Sequence, residues 1–177
     1  MSLGRAFQQR ERGEKGANAI AELALVRIDD RLIHGQVMAV WVKHIKVDLI
    51  IVVDDAVAQD EFMQDVLRLA APPGIKVEAR SVQEGIASLG VNAPNREHTM
   101  VLVKTPRVAR ALFDGGVRFS RLNVGGIGGG PGRKSVFKNI SMSEEDKRIL
   151  RGLIQDGVKV TLLTVPGEQS LDFSMVK

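Results

Sequence analysis

Short apolar runs alternate with segments of helical periodicity from Leu23 to the end of the chain. Most of the runs are continuously apolar rather than alternately polar and apolar, as expected for strands that are covered on both faces. This pattern is typical of a parallel sheet between two layers of helices. The six predicted strands are Leu25–Asp29, Val47–Val53, Ile75–Ala79, Thr99–Lys104, Arg121–Val124 and Val158–Thr164.

The segments between the predicted strands carry helix boundary signals. Ser81 precedes Glu84 by three residues, which is a capping-box pattern, and the segment that starts at Ser143 has the same spacing. Thr105 before Pro106 predicts another helix start, because proline is favoured at the first helical position. Repeated strand–helix–strand units predict right-handed crossovers. The predicted fold class is α/β, a three-layer α/β/α sandwich with a mostly parallel sheet of about six to seven strands.

Two further features complete the predicted organisation. Residues 134–140 are the candidate for an antiparallel strand. The chain has 177 residues, which is the usual size of one domain, so we assign residues 22–177 to a single domain. Residues 1–21 are polar and do not follow the strand–helix pattern, so we interpret them as a disordered leader, either native or added in cloning.

Composition excludes several classes of function. The chain has no cysteine, which excludes disulfides, thiolate metal sites and cysteine nucleophiles. Its three histidines lack the spacing of metal ligands, so we expect neither a metal nor another cofactor. The net charge is +4, but half of it falls in the first twenty residues and only 4% of residues are aromatic. Nucleic-acid binding is therefore not predicted, because it uses basic surfaces and aromatic stacking platforms.

The hydropathy of the chain predicts a cytoplasmic protein. No apolar run approaches the roughly 20 residues of a membrane-spanning helix. The N-terminus also lacks the apolar region of a signal peptide.

Ligands of open α/β sheets bind at the carboxyl ends of the strands, so we examined the loops that follow the predicted strands. Polar or glycine residues come directly after several of these strands and are candidates for the rim of a cleft. They are Asp54, Asp55, Lys104, Asn123, Gly125 and Gly126.

The loop after the first predicted strand concentrates two arginines, two aspartates and one histidine before a helix start. A helix N-terminus favours negative charge, so we expect the imidazole of His34 to be neutral and nucleophilic. Arg27 and Arg31 can bind the oxygens of an anion, and the amides of Gly35 and Gln36 add hydrogen-bond donors. These features suit phosphoryl transfer, whose loose transition state needs mainly positioning and charge stabilisation.

Two details of this loop stay open in the sequence. One of its aspartates is expected to hold the second ring nitrogen of the histidine and to fix the tautomer. The alternative interpretation is a solvated surface loop, in which Asp30 caps a helix and the arginines pair with the aspartates.

Residues 27–37, Arg-Ile-Asp-Asp-Arg-Leu-Ile-His-Gly-Gln-Val, resemble the active-site segment of the mannose/fructose/sorbose family of enzyme IIB components of the bacterial sugar phosphotransferase system. Asp54–Asp55 and Asn123–Gly126 extend the resemblance, which covers the chain from about Leu23 onward. It implies a phosphotransferase, or phosphocarrier, in which His34 accepts a phosphoryl group from a phosphohistidine on the enzyme IIA partner. The group then passes to a sugar that is bound by the membrane transporter subunits.

The resemblance also implies roles for neighbouring residues and partners. Asp29 and Arg31 support the phosphorylated ring, and Arg27 is a weaker match for the same role. The implied partners are enzyme IIA and the membrane subunits IIC and IID, at the inner face of the plasma membrane. The sequence determines neither the sugar nor whether the chain forms a homo-oligomer.

The glycine-rich segment Gly125–Gly132 supports a rival hypothesis, a non-catalytic module that binds a nucleotide or another anion. It lacks the spacing of a nucleotide-binding loop, and no clear helix is predicted after it. A flexible rim near His34 is the favoured interpretation, with Arg133 and Lys134 suited to an acidic partner. Asp54–Asp55 matches the acidic pocket of receiver domains, but a helix cap and a cleft residue are preferred.

Overall fold

The computed structural model describes residues 22–177, except for the side chains of Gln36 and Val37. The predicted leader, residues 1–21, lies outside the described part, and so does the side chain of Gln36. Within residues 22–177, no helix combines the length and the apolar character that crossing a membrane requires.

A seven-stranded sheet forms the centre of the fold. The strands of the described residues are β1 (Leu25–Asp29), β2 (Leu49–Val53), β3 (Lys76–Arg80), β4 (Thr99–Val103), β5 (Arg121–Gly126), β6 (Lys134–Phe137), β7 (Ile140–Met142), β8 (Lys159–Leu162) and β9 (Leu171–Asp172). The order in the sheet is β3-β2-β4-β1-β5-β8-β9. Its strands are parallel except β9, which pairs antiparallel with β8.

The six predicted strands are all present, and their ends differ from the prediction by no more than two residues. The candidate antiparallel segment, residues 134–140, does not join the large sheet. It forms most of a separate two-stranded antiparallel sheet, β6–β7. The antiparallel strand of the large sheet is β9, a two-residue strand that is too short to show a hydrophobic pattern.

Helices connect the strands and begin where the sequence signals predict. Both capping boxes form, at Ser81 and at Ser143, and Pro106 begins the helix that Thr105 caps. The helices are α1 (Gly35–His44), α2 (Asp55–Ala58), α3 (Glu61–Ala70), α4 (Val82–Ser88), α5 (Pro106–Asp114) and α6 (Glu144–Gln155).

Two hydrophobic clusters, one on each face of the sheet, confirm the three-layer prediction. Trp41 of α1 and Leu67 of α3 pack with β2 and β4 on one face. Leu112 of α5 and Leu150 of α6 pack with β1, β4 and β5 on the other. Strand β4 is buried at all five positions, which explains why its sequence is continuously apolar.

The direction in which strands are added to the sheet reverses next to β1. The chain runs from β1 to β2 and β3 on one side of the sheet, and later from β4 to β5 and β8 on the other. Ligand sites of open α/β sheets form at such reversals of strand order. The loop that follows β1 therefore occupies the position where chemistry is expected.

Candidate active site

The loop after β1 is anchored by its apolar residues and turns sharply. Leu32 and Ile33 are 2% and 5% exposed. Leu32 has a left-handed backbone with φ of 57°, and its amide donates to the carbonyl of Asp29 at 3.0 Å. His34 follows at the N-cap position of α1, so the sequence prediction of an imidazole at a helix start is confirmed.

Asp29 is the centre of the site, and its side chain is fully buried. Its Oδ1 accepts from the backbone amide and from Nε of Arg31, both at 3.2 Å. Its Oδ2 accepts from Nη2 of Arg27 at 2.8 Å. The same oxygen lies 3.9 Å from Nε2 of His34. One carboxylate thus orients two guanidinium groups and faces the imidazole.

The two arginines of the site differ in exposure. The side chain of Arg31 is 48% exposed, so part of its guanidinium is open to a ligand. Arg27 is completely buried; its Nη1 donates to Oδ1 of Asn123 and, at 3.1 Å, to the carbonyl of Leu163. The sequence suggested that both arginines bind anion oxygens directly. The structure places Arg27 beneath Asp29 instead, where it cannot reach a ligand at the surface.

Burial affects the charge of Arg27. Loss of water around the guanidinium lowers its pKa, and the charge and hydrogen bond of Asp29 partly offset that effect. The ring of Trp41 lies 5.3 Å from its Cζ, and the indole Nε1 donates to the carbonyl of Thr164 at 2.9 Å. A cation held over an aromatic face is stabilised by the ring quadrupole. Trp41 is 6% exposed and belongs to the hydrophobic core on this face of the sheet.

The imidazole of His34 is 23% exposed, and its two nitrogens have different surroundings. Nδ1 lies 2.9 Å from the carbonyl of Leu32. Because a carbonyl only accepts, Nδ1 carries a hydrogen in this conformation. The partner of Nδ1 is therefore a main-chain carbonyl and not an aspartate, which corrects the expectation from the sequence. Nε2 is buried and has no hydrogen-bond partner among residues 22–177.

Gly125 and Gly126 of β5 make room for the arginine side chains. A Cβ on Gly125 would lie 1.8 Å from Cζ of Arg27, and a Cβ on Gly126 would lie 3.1 Å from Nη2 of Arg31. Both glycines are buried, and Asn123 is 5% exposed. The prediction that these three residues line the rim of a cleft is therefore corrected, since they lie beneath the site.

The glycine-rich segment is tied to the first loop by a hydrogen bond at Gly128. Oδ2 of Asp30 accepts from the amide of Gly128 at 2.7 Å. Arg133 donates to the carbonyl of Gly128 at 3.1 Å and lies 3.5 Å from Asp146. The segment leads into β6, not into a helix, so the helix N-terminus that holds a pyrophosphate does not follow it. The sequence analysis missed this contact because Asp30 and Gly128 are distant in the chain.

The remaining rim candidates form a separate cluster at the same edge. Asp54 caps α2 by accepting from the amide of Val57 at 2.9 Å, and it pairs with Lys104 at 3.1 Å. Asp55 accepts from the amide of Val82 at 2.8 Å. The prediction that one aspartate caps a helix is confirmed. The other connects α2 to the start of α4.

Comparison with known proteins identifies the class to which this fold and site belong. The family model described as PTS system sorbose subfamily IIB component matches residues 23–176. The sorbose-specific EIIB component of Lacticaseibacillus casei is 37% identical over 150 residues, which cover 85% of this chain and 92% of that protein. The chain belongs to the IIB components of the sugar phosphotransferase system, in the sorbose subfamily.

Solved structures agree with this assignment. The crystal structure of the IIBSor domain of the sorbose permease from Klebsiella pneumoniae matches with a TM-score of 0.78 and 37% identity, over 85% of this chain and 93% of that one. The mannose-specific EIIAB component of Escherichia coli strain K12 is 34% identical over 156 residues. These cover 88% of this chain and 48% of that relative, so the chain matches about half of its length.

Proposed function

We propose that His34 is the phosphoryl carrier of this IIB component. It accepts a phosphoryl group from a phosphohistidine on enzyme IIA and transfers it to a sugar bound by the membrane subunits. The observation that carries the proposal is the position of His34, at the start of α1 and 3.9 Å from a buried carboxylate that two arginines neutralise.

Each transfer exchanges one bond to phosphorus for another. A ring nitrogen of His34 donates its lone pair to phosphorus, while the bond from phosphorus to the donor histidine breaks and returns an electron pair to that ring. In the second step a sugar hydroxyl oxygen attacks phosphorus, the bond to His34 breaks and leaves its electron pair on the ring nitrogen, and that nitrogen takes up the proton that the hydroxyl loses. No metal is required, because the charge on the phosphoryl oxygens can be stabilised by Arg31 and backbone amides.

The charges of the site suit an anion on His34. Asp29 by itself would repel a phosphoryl group that approaches within a few ångströms. Arg27 and Arg31 both contact its carboxylate, so the three side chains together carry one positive charge. Arg31 is the member that is exposed to the incoming group.

The imidazole must rotate before it accepts the group. In the present conformation Nδ1 bonds to the carbonyl of Leu32, and Nε2 is buried against Asp29. Neither nitrogen is open to phosphorus on another protein. Rotation about the side-chain bonds of His34 exposes a ring nitrogen. We expect this rotation to occur when the donor protein docks.

The partner assignment follows the same family. A IIA unit is proposed as the donor, and the proposal is supported by the mannose-specific relative, which is named as an EIIAB component. The membrane subunits IIC and IID are proposed as the route to the sugar, which places the chain in the cytoplasm at the inner membrane face. Matched relatives are named for sorbose and for mannose, so the proposal names no sugar.

Phosphorylation with a defined donor tests the carrier function. The chain is incubated with phosphoenolpyruvate, the general phosphotransferase proteins and an active enzyme IIA, and intact mass is measured. We expect one phosphoryl group on the wild type, stable in alkali and lost in acid, and none on His34→Gln. His44→Gln, at the other end of α1, is the matched control and should be phosphorylated like the wild type. No phosphoryl group on the wild type, or one retained by His34→Gln, would refute the carrier assignment.

A further inference from the structure

A chain of buried hydrogen bonds runs beneath the site from β5 to β1. Oδ1 of Asn123 accepts from Nη1 of Arg27. Nη2 of Arg27 then donates to Asp29 at 2.8 Å. Within residues 22–177, the side chain of Asn123 bonds to Arg27, Thr161 and Leu163, and none of these hydrogen bonds reaches the imidazole of the site. Asn123 can therefore act on the site only through Arg27.

We propose that Asn123 is a positioning residue for phosphoryl transfer. It holds the guanidinium of Arg27 in the orientation that directs the carboxylate of Asp29 toward Arg31 and His34. The proposal rests on the carrier function of His34 and adds a residue that does not touch the phosphoryl group.

The amide of Asn123 has one orientation that satisfies its surroundings. Its Nδ2 donates to the carbonyl of Leu163 at 3.0 Å and lies 3.4 Å from that of Thr161. These acceptors fix the NH2 group on one side, so the oxygen must face Arg27. An apolar side chain of similar size would keep the packing and remove the acceptor. Nη1 of Arg27 would then retain only the carbonyl of Leu163.

Gly125 limits Arg27 from a second direction. A Cβ at this position would lie 1.8 to 2.1 Å from the three terminal guanidinium atoms, so the group passes directly over the glycine backbone. The backbone φ of Gly125 is not positive, so an alanine can adopt the same backbone conformation without strain. An alanine would displace Arg27 without removing any hydrogen-bonding group. Asn123 and Gly125 thus offer two independent ways to move the same side chain.

The test compares Asn123→Leu, Gly125→Ala and their double variant in steady-state phosphorylation by phosphorylated enzyme IIA. We expect kcat to fall about tenfold or more in each single variant, because small displacements of positioned groups slow transfer strongly. The KM for enzyme IIA should stay within about twofold, because both positions are buried and cannot touch the donor. The kcat of the double variant should lie within about twofold of that of the slower single variant. The two effects are not additive, because both substitutions act through Arg27.

Two control variants separate positioning from general loss of stability. Thr99→Val removes a buried hydroxyl that donates to the carbonyl of Asn95 at 2.8 Å, at the amino end of β4. Gly90→Ala adds a methyl group where no atom lies within 4 Å, in a segment away from His34. Both should retain the kcat of the wild type. Asn123→Ser repeats the test if the leucine variant does not fold.

Trp41 provides a spectroscopic signal that does not depend on phosphorylation. It is the single tryptophan of the chain, and its ring lies over Arg27. Displacement of the guanidinium in Asn123→Leu and Gly125→Ala should change its fluorescence emission, while Thr99→Val should leave it unchanged. A purely structural role of Asn123 predicts loss of stability with no such difference from Thr99→Val.

The outcomes distinguish this proposal from the carrier function. If the wild type is phosphorylated and both variants keep its kcat and its Trp41 emission, Asn123 has no positioning role and His34 remains the carrier. If a proven donor fails to phosphorylate the wild type, the carrier function is wrong and the role of Asn123 in transfer is wrong with it. The emission measurement then still shows whether Asn123 orients Arg27.

Discussion

Among residues 22–177, two arginines are almost completely buried, and they have different kinds of partner. Arg27 lies in β1 and is 0% exposed, and Arg96 lies in the turn that leads into β4 and is 1% exposed. Arg96 donates to the carbonyls of Leu89, Gly90 and Arg118, which belong to main-chain segments near the amino end of the sheet. Arg27 donates mainly to side chains, at the end of the sheet where His34 lies.

The comparison shows that burial alone does not identify a functional charge. Burial lowers the pKa of both arginines, and a carboxylate opposes the effect in each case, Asp29 for Arg27 and Glu22 for Arg96. Arg96 connects main-chain segments to one another by donating to their carbonyls. The carboxylate beside Arg27 also bonds Arg31 and faces His34, so a change at Arg27 is transmitted to groups that meet a ligand.

Replacement of each arginine by methionine is the strongest test of this difference. Arg27→Met leaves Asp29 buried without its inner partner, which should cost about 3 kcal/mol of folding stability. Phosphorylation of His34 should slow about 100-fold, as when a group that stabilises transition-state charge is lost. Arg96→Met should lose a similar stability, about 3 kcal/mol, because it removes a buried donor from three main-chain carbonyls.

The measurement is the rate of phosphoryl acceptance per folded molecule, with the folded fraction taken from urea titration. Arg96→Met should retain the wild-type rate within about twofold, since Arg96 donates to main-chain carbonyls near the amino end of the sheet, away from His34. Equal slowing in the two variants would show that the rate follows stability, and that the partners of Arg27 carry no special function.

Arg31→Lys tests the exposed arginine of the site and should have the second largest effect. The guanidinium donates to Asp29 through Nε, and its outer part is open to a ligand. A lysine provides a point charge that cannot make both contacts in one plane. We expect the rate of phosphoryl acceptance to fall about tenfold, with a change in stability below about 1 kcal/mol because the side chain is half exposed. Rapid-quench measurements give the rate, and urea titration gives the stability. A wild-type rate in Arg31→Lys would show that transfer does not require a planar guanidinium that contacts Asp29 and the ligand together.

The residues of the first loop could be predicted from the sequence because they are close together in the chain. Asp29, Arg31 and His34 fall within six positions, between a clear strand and a clear helix start. The main strands were also predictable, because continuous apolar runs identify strands buried on both faces. Strand β9 was not, since two residues carry no pattern.

The deeper part of the site could not be predicted, because it depends on strand pairing. The pairing of β1 with β5 brings Arg27 opposite Asn123, which is 96 residues away. The glycines that follow the predicted strand suggested the rim of a cleft. The structure shows instead that a side chain at Gly125 would clash with the guanidinium of Arg27, which lies over the glycine backbone. The contact of Asp30 with Gly128 has the same long-range origin.

Asp30→Ala tests the connection between the two loops and should have a smaller effect. The aspartate makes a charge-assisted hydrogen bond to the amide of Gly128 at the surface. Its loss should cost about 1 kcal/mol. Hydrogen exchange at Gly128 should become faster, while phosphoryl acceptance changes by no more than a few fold. Unchanged exchange would show that the glycine segment is held by Arg133 rather than by Asp30.

Glu84→Gln tests a fully exposed carboxylate near the same end of the sheet and should have the smallest effect. The amide and hydroxyl of Ser81 donate to Glu84 and lower its pKa. A carboxylate whose pKa is lowered by folding stabilises the protein above its unfolded pKa of about 4.3. That contribution is lost as the pH falls through the folded value.

The urea midpoint at pH 6 and pH 3 measures this contribution. The wild type should lose more stability than Glu84→Gln between the two values, because glutamine retains a capping acceptor and does not titrate. Phosphoryl acceptance at neutral pH should be the same in both proteins, in contrast to the variants around the buried Asp29. A lower rate in Glu84→Gln would mean that a charge near this edge affects transfer even when it is exposed. Burial would then not distinguish the charged groups that affect transfer from those that do not.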